Sequence, residues 1–211
     1  EWSAIYFILY LLVFFCKSLW NNDQSNQYAD IAELALYNTV LSGVSLSGDR
    51  FFYENPLAVN PERQKFNNSR PIGLKEHLPI LERVRVFDCS CCPPNLLRII
   101  GSISEYAYSV EGDTISTQCY MNSLAHIKIK NNTISLNQRT EYPWDGNIEI
   151  KIHDITNTKN PFFKLFLRIP AWCDNYEIKI NNKKVEDFSL KNGYIDLARK
   201  WQIYDRIQLS L

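Results

Sequence analysis

Phe162-Phe163-Lys164-Leu165-Phe166-Leu167-Arg168-Ile169 (FFKLFLRI) decides how the second half of this chain is read. Phe163, Leu165, Leu167 and Ile169 alternate with Lys164, Phe166 and Arg168, and a period of two puts the first set on one face of a strand. Ile148, Ile150 and Ile152 alternate in the same way with Glu149 and Lys151. Tyr176 to Ile180 followed by Asn181-Asn182 reads as a strand and a hairpin turn, and Asn192-Gly193 marks a second turn, since these residues tolerate positive φ. Strands at this spacing predict a β-sandwich from Thr114 onward.

Upstream the period changes, with the switch near Tyr108 to Asp113. After Pro93-Pro94, the residues Leu96, Ile99, Ile100, Ile103 and Ala107 recur at helical spacing. Before them, past the polar break Asn21 to Gln27, Asp30 is placed to cap a helix carrying Ile31, Leu34, Ala35 and Leu41, which Gly43 would stop. Each helix has one face suited to burial. Ala4 to Cys16 is an unbroken apolar run, shorter than the roughly 20 residues that a membrane-spanning helix needs, and is expected as a buried helix. The chain opens on Glu1 and not on Met, which suggests a piece of something longer.

Between the two helices lies Val44 to Phe87, with a turn at Gly48-Asp49, the aromatic cluster Phe51-Phe52-Tyr53 and four prolines. A connection this long and this poor in regular pattern reads as a functional loop. In the second half, Tyr142-Pro143-Trp144-Asp145-Gly146 and Pro170-Ala171-Trp172 carry aromatics of the kind that touch sugar rings, although the core is their expected place.

The 211 residues suffice for one large or two small domains, and 23 basic side chains balance 23 acidic ones. No global field draws in nucleic acid or an anionic membrane surface, so neither is an expected partner. With 45% hydrophobic and 22% charged residues, a packed core is expected.

Phe87-Asp88-Cys89-Ser90-Cys91-Cys92-Pro93-Pro94-Asn95 holds three of the six cysteines. Cys16, Cys119 and Cys173 stand alone, which argues against a disulfide framework. Adjacent cysteines close a strained ring, so Cys91 and Cys92 suit a shared thiophilic metal such as zinc better than each other. They stand at the start of a helix, where unpaired N–H groups and the dipole favour thiolates. His77, His126 and His153 are isolated and are expected to be ordinary histidines, so further ligands must come from elsewhere.

These residues resemble a known family. FDCSCCPPN followed by LLRIIGSISEYAYSV resembles the signature of glycoside hydrolase family 127, the β-L-arabinofuranosidase family. YADIAELALYNTVLSGVSLSGDRFFYENPLAV upstream, YPWDG, LRIPAWC and GYIDLARKWQIYDRIQLSL match in the same order, from about Leu12 to Leu211.

The resemblance implies the last helices of an (α/α)6 barrel over 1–110, followed by an antiparallel β-sandwich over 111–211. It makes Cys91 the nucleophile, gives Cys91 and Cys92 to a zinc ion, and makes Tyr53 a candidate sugar contact on a carbohydrate substrate. It places the acid/base glutamate before Glu1. The family's further zinc ligands sit in an E-T-C-A motif, which Glu1-Trp2-Ser3-Ala4 echoes with serine in place of the thiol. The implied reaction is retaining hydrolysis of non-reducing-end β-L-arabinofuranosides, with a non-catalytic carbohydrate-binding or structural sandwich as the alternative.

Overall fold

A computed structural model describes residues 3–23, 25–52, 54–56, 83, 85, 92–159 and 161–211. They fall into two compact units, one within residues 1–17 and 31–102, the other within 18–30 and 103–211.

In the first unit, strand β1 (Ser3–Ile5) pairs antiparallel with β2 (Glu54–Pro56), Ile5 lying opposite Glu54. Helix α1 (Tyr6–Asp23) follows at once. Val13 and Cys16 are buried, but Leu11 and Phe15 are half exposed or more, so the apolar run buries part of its circumference and not all of it. No helix among the described residues is long and apolar enough to cross a membrane.

Helix α2 (Asn26–Ala35) runs on into a π-helical turn, Leu36–Leu41. Asp30 therefore lies inside the helix and does not cap it. The expected buried stripe is also displaced: Ala32, Ala35, Leu36 and Val40 are buried, while Ile31, Leu34 and Leu41 are exposed. Two apolar stripes share the same period, and the one richer in alanine allows the closer approach of neighbouring backbone. Helix α3 (Cys92–Gly101) has Pro93 in its first turn, where a missing N–H is harmless. Ile99 is fully buried, Leu97 and Ile100 are exposed, and the Ser102 hydroxyl donates to the Arg98 carbonyl at 2.8 Å.

The second unit is the predicted β-rich half. After a 3-10 turn, Ile103–Tyr106, come β3 (Tyr108–Glu111), β4 (Thr114–Thr117), β5 (Ser123–Ile129), β6 (Asn132–Thr140) and β7 (Asn147–Ile155). Then follow β8 (Phe162–Arg168), β9 (Glu177–Ile180), β10 (Lys183–Lys184), β11 (Ser189–Lys191), β12 (Tyr194–Lys200) and β13 (Arg206–Ser210). One sheet has the order β10-β9-β13-β7-β6-β5 and the other β11-β12-β8-β4-β3. The sandwich is not wholly antiparallel, because β4 and β8 pair in parallel. Between these two strands the chain leaves for the other sheet through β5, β6 and β7, a crossover long enough to return in the same direction.

The alternation read from the sequence is what fills the space between the sheets. Ile148, Ile150 and Ile152 from one sheet and Phe163, Leu165 and Leu167 from the other join Ile178, Ile195, Trp201 and Leu209 in a single core. Each such side chain, fully buried, contributes about 1.5–3 kcal/mol. Trp201, wholly buried, donates its indole N–H to the Phe163 carbonyl at 3.1 Å. Both predicted turns are present, with positive φ at Asn181, Asn182, Asn192 and Gly193.

The second face of β8 departs from its two-period pattern, since Phe166 and Arg168 are buried as well. Phe166 packs against the Tyr194 ring at 6.2 Å, and residues 18–30 cover Arg168. Trp20, 1% exposed, meets Tyr106 edge-on at 5.9 Å. Asn26 donates from Nδ2 to the Ile169 carbonyl at 2.8 Å and from its backbone N–H to the Asn192 carbonyl at 3.0 Å. The Asp30 carboxylate binds Arg168. Two other aromatics expected in the core are outside it: Trp144 is 90% exposed and Trp172 59%. Both sit in turns beyond the ends of strands, where no second layer reaches them.

Candidate functional site

Of the residues singled out in the sequence, Cys91 and Tyr53 lie outside the described residues. Cys92 is the first residue of α3, and its side chain also lies outside them. What can be built is the framework on either side.

Tyr53 stands between two anchored points. On one side Val44 bridges Phe51, and the Phe52 N–H donates to the Gly43 carbonyl at 3.0 Å. On the other, β2 is zipped to β1. Arg83 closes the same turn, donating to the Ser42 carbonyl and lying 4.6 Å over the Phe52 ring. Arg85 pairs with Asp49 at 3.1 Å, and with the Ser47 hydroxyl as the larger influence this holds the Asp49 carboxyl below its usual range. Phe51-Phe52 is thus held from a distant part of the predicted functional loop, whose residues 57–82 lie outside the described ones.

At α3, Cys92 occupies the helix start, where free N–H groups and the dipole stabilise a thiolate. One turn on, Asn95 is buried and accepts from Arg98 Nη1 at 2.5 Å, which fixes the first turn. Two adjacent thiols are a donor set that fits a thiophilic divalent ion. Among the described residues no group of three or more His, Cys, Asp or Glu could hold a metal by itself. His126 and His153 are exposed, and His126 Nδ1 is 2.8 Å from the Ser135 hydroxyl, the ordinary setting expected of them. His77 lies outside the described residues.

The sequence gives no sign of a second feature, a cleft of about 1090 Å³ on the outer face of the six-stranded sheet. Asn137, Arg139, Glu149, Glu177, Lys179 and Gln208 are among its lining residues, contributed by four different strands. They are the polar partners in the alternation whose apolar members form the core. Only pairing across strands makes them neighbours: Arg139 faces Glu149, and Gln208 lies between Glu149 and Lys179.

Comparison with known proteins places both halves in one family. The sequence model of the GH127 β-L-arabinofuranosidase catalytic domain matches residues 9–105, and that of the GH127 middle domain matches 114–211. A non-reducing end β-L-arabinofuranosidase of Bifidobacterium longum subsp. longum is 28% identical over 187 residues, covering 87% of this chain and 27% of its own length. Among solved structures, Ara127N-Se, a GH127 β-L-arabinofuranosidase from Geobacillus stearothermophilus T6, is similar with a TM-score of 0.81 and 35% identity. The match covers 95% of this chain and 30% of that one. The GH127 β-arabinofuranosidase BT3674 is similar with a TM-score of 0.78 and 31% identity, over 94% of this chain and 30% of its own. The chain spans about a third or less of the length of each of these relatives.

Proposed function

The chain belongs to glycoside hydrolase family 127, the β-L-arabinofuranosidase family, and from that premise we propose that it serves the retaining hydrolysis of non-reducing-end β-L-arabinofuranosides. One observation carries the reading: the catalytic and middle domains match in order along the chain, and the Cys91-Cys92 pair falls inside the catalytic match. In this reading residues 1–110 are the last helices of an (α/α)6 barrel and 111–211 the following sandwich. The alternative, a non-catalytic sandwich module, is not favoured, because the first half matches the catalytic domain and is not a remnant without relatives.

Cys91 is the nucleophile. Its thiolate attacks the anomeric carbon while the bond to the leaving oxygen breaks, and a general acid that the family places before Glu1 protonates that oxygen. A sugar–sulfur bond results. Water, deprotonated by the same group, then attacks the anomeric carbon and returns the sulfur as thiolate, and two inversions leave the configuration retained. Tyr53, in the segment that matches the family's motif, contacts the sugar. Cys91 and Cys92 would hold a zinc ion, which when bound keeps both sulfurs deprotonated at neutral pH. Because the acid is assigned before Glu1 and the motif echo at Glu1 to Ala4 has serine in place of the thiol, we propose that residues 1–211 by themselves hold an incomplete zinc site and do not turn over substrate.

The test joins two readouts. Zinc bound by a chain that includes the acid and the remaining ligands should fall to near zero in Cys91→Ala and Cys92→Ala. Release of L-arabinose from a synthetic β-L-arabinofuranoside, in a chain that includes the acid, should vanish in Cys91→Ala. Release that survives this substitution rules out the nucleophile, and unchanged zinc content rules out the ligands.

A further inference from the structure

We propose that the outer face of the six-stranded sheet is a second, non-catalytic site that binds a neutral oligosaccharide. The observation behind it is the cleft itself, an open concavity of about 1090 Å³. Its walls come from rigid strands of the second unit and owe nothing to the cysteine pair.

The chemistry of the lining selects the ligand. Asn137 and Gln208 put side-chain amides in the walls, each with donors and an acceptor, the complement of vicinal sugar hydroxyls that both donate and accept. Asn122 Oδ1 already accepts from the Thr140 N–H at 2.9 Å and Asn147 Nδ2 already donates to Asp145, which leaves each of these two amides its other group. Ile148 and Leu209 also line the cleft but are buried in the core, while Leu124, half exposed, gives the lining an apolar patch. Lys179 lies 2.6 Å from Glu177, and Glu149 lies 3.4 Å from Arg206. Arg139 and Lys179 are the cations of the lining, beside Glu141, Asp145, Glu149 and Glu177, so the face offers no basic cluster for a phosphate or a nucleic-acid backbone, which require several cations together. A neutral polyhydroxylated chain satisfies the amides without disturbing these pairs.

A stacking surface stands beside the cleft. Glu141 and Asp145 line it, and the turn that carries them also carries Trp144, 90% exposed. That turn is rigid: the Trp144 N–H donates to the Glu141 carbonyl at 2.9 Å, and the Asp145 carboxylate accepts from the backbone and side-chain nitrogens of Asn147, each at 2.6 Å. Trp172, 59% exposed, stacks on Tyr142 of the same turn at 6.5 Å. Fixed, solvent-facing indoles beside an amide-lined cleft supply an apolar face and a polar wall together, as a sugar ring requires.

Affinity electrophoresis of the full 211-residue chain through gels containing soluble arabinan tests the proposal, with polygalacturonate as the anionic control. Arabinan should retard the chain and polygalacturonate should not. Trp144→Ala, at a position too exposed to matter for folding, should weaken binding about tenfold, the size of one lost ring contact. Asn137→Ala with Gln208→Ala should weaken it severalfold, and Cys91→Ala should change nothing, which separates this site from the catalytic reading. No retardation in arabinan, equal retardation in polygalacturonate, unchanged retardation in the cleft variants, or loss in Cys91→Ala would each overturn it.

Discussion

Arg168 and Asp30 form an ion pair across 138 positions of sequence, with the arginine side chain wholly buried and the aspartate 15% exposed. The second carboxylate oxygen of Asp30 accepts from the Ala171 N–H at 3.1 Å, so one short side chain holds both the end of β8 and the residues after it. The guanidinium also lies 5.8 Å over the Tyr120 ring. A buried cation is tolerated where a counter-ion offsets its charge.

Removing the carboxylate should therefore be expensive. Asp30→Ala is expected to lower stability by about 3–5 kcal/mol, the usual cost of leaving a buried charge without its counter-ion. Asp30→Asn, which keeps an acceptor oxygen, should lose less. Urea unfolding followed by tryptophan fluorescence measures both, and a loss under about 1 kcal/mol for the alanine variant would contradict the assignment of the pair as a buried one.

A chain of residues 103–211 alone should fold poorly. It lacks Trp20, Asn26 and Asp30, which cover Tyr106, the Ile169 carbonyl and Arg168. Its melting temperature should lie well below that of the same sandwich with residues 18–30 attached, and equal melting temperatures would show that the helical segment adds nothing to the sandwich.

Gly193→Ala should be destabilising for two separable reasons. The residue has φ near +80°, which costs an L-residue about 1–2 kcal/mol. A Cβ there would also stand 2.0 Å from the Asn26 side chain. Asn26→Ala in the same chain should relieve the second cost and leave the first. A double variant no more stable than Gly193→Ala would place the whole effect in the backbone, or in the hydrogen bonds that Asn26 loses.

The alkaline limb of stability should start near pH 10. Burial pushes the Tyr108 phenol up from its ordinary value of 10 to about 12, against the opposing bond to Ser123, and burial also raises Tyr194. Both phenols are held neutral in the folded state, so their contribution is complete below pH 10, and that of Tyr108 is lost as the pH rises through about 12. Tyr108→Phe should flatten this limb. Stability against pH, with tyrosinate absorbance recorded alongside, checks the sign, and an unchanged slope in the variant would contradict it.

Much of the sandwich was legible because its signals are local. The alternation at Ile148 to Ile152 and at Phe163 to Ile169, with turns at Asn181-Asn182 and Asn192-Gly193, needs only the pleat and the positive-φ tolerance of Asn and Gly. In α2 the same logic found the helix but chose the wrong face, since both apolar stripes have the helical period. The parallel pairing of β4 with β8 was hidden for another reason: strand direction depends on the path of the connection, which no pattern inside either strand records.

The helix behind the thiol pair was legible. Cys91-Cys92 before a helix is a chemical statement that the linear sequence makes unaided, and Cys92 does open α3. The outer cleft was illegible because its residues are ordinary polar positions, scattered over strands far apart in sequence, until cross-strand pairing sets Arg139 beside Glu149 and Gln208 beside Lys179.

By itself, then, the sequence determined the β-strands, the helix after the prolines, the thiol pair and the family likeness, all properties of short-range periodicity and side-chain chemistry. Tertiary structure alone decided that Asp30 is the counter-ion of a buried arginine, that Trp144 and Trp172 face water, and that a polar sheet face forms a cleft. Each depends on which distant segments meet, and burial, charge pairing and concavity exist only between segments that have met.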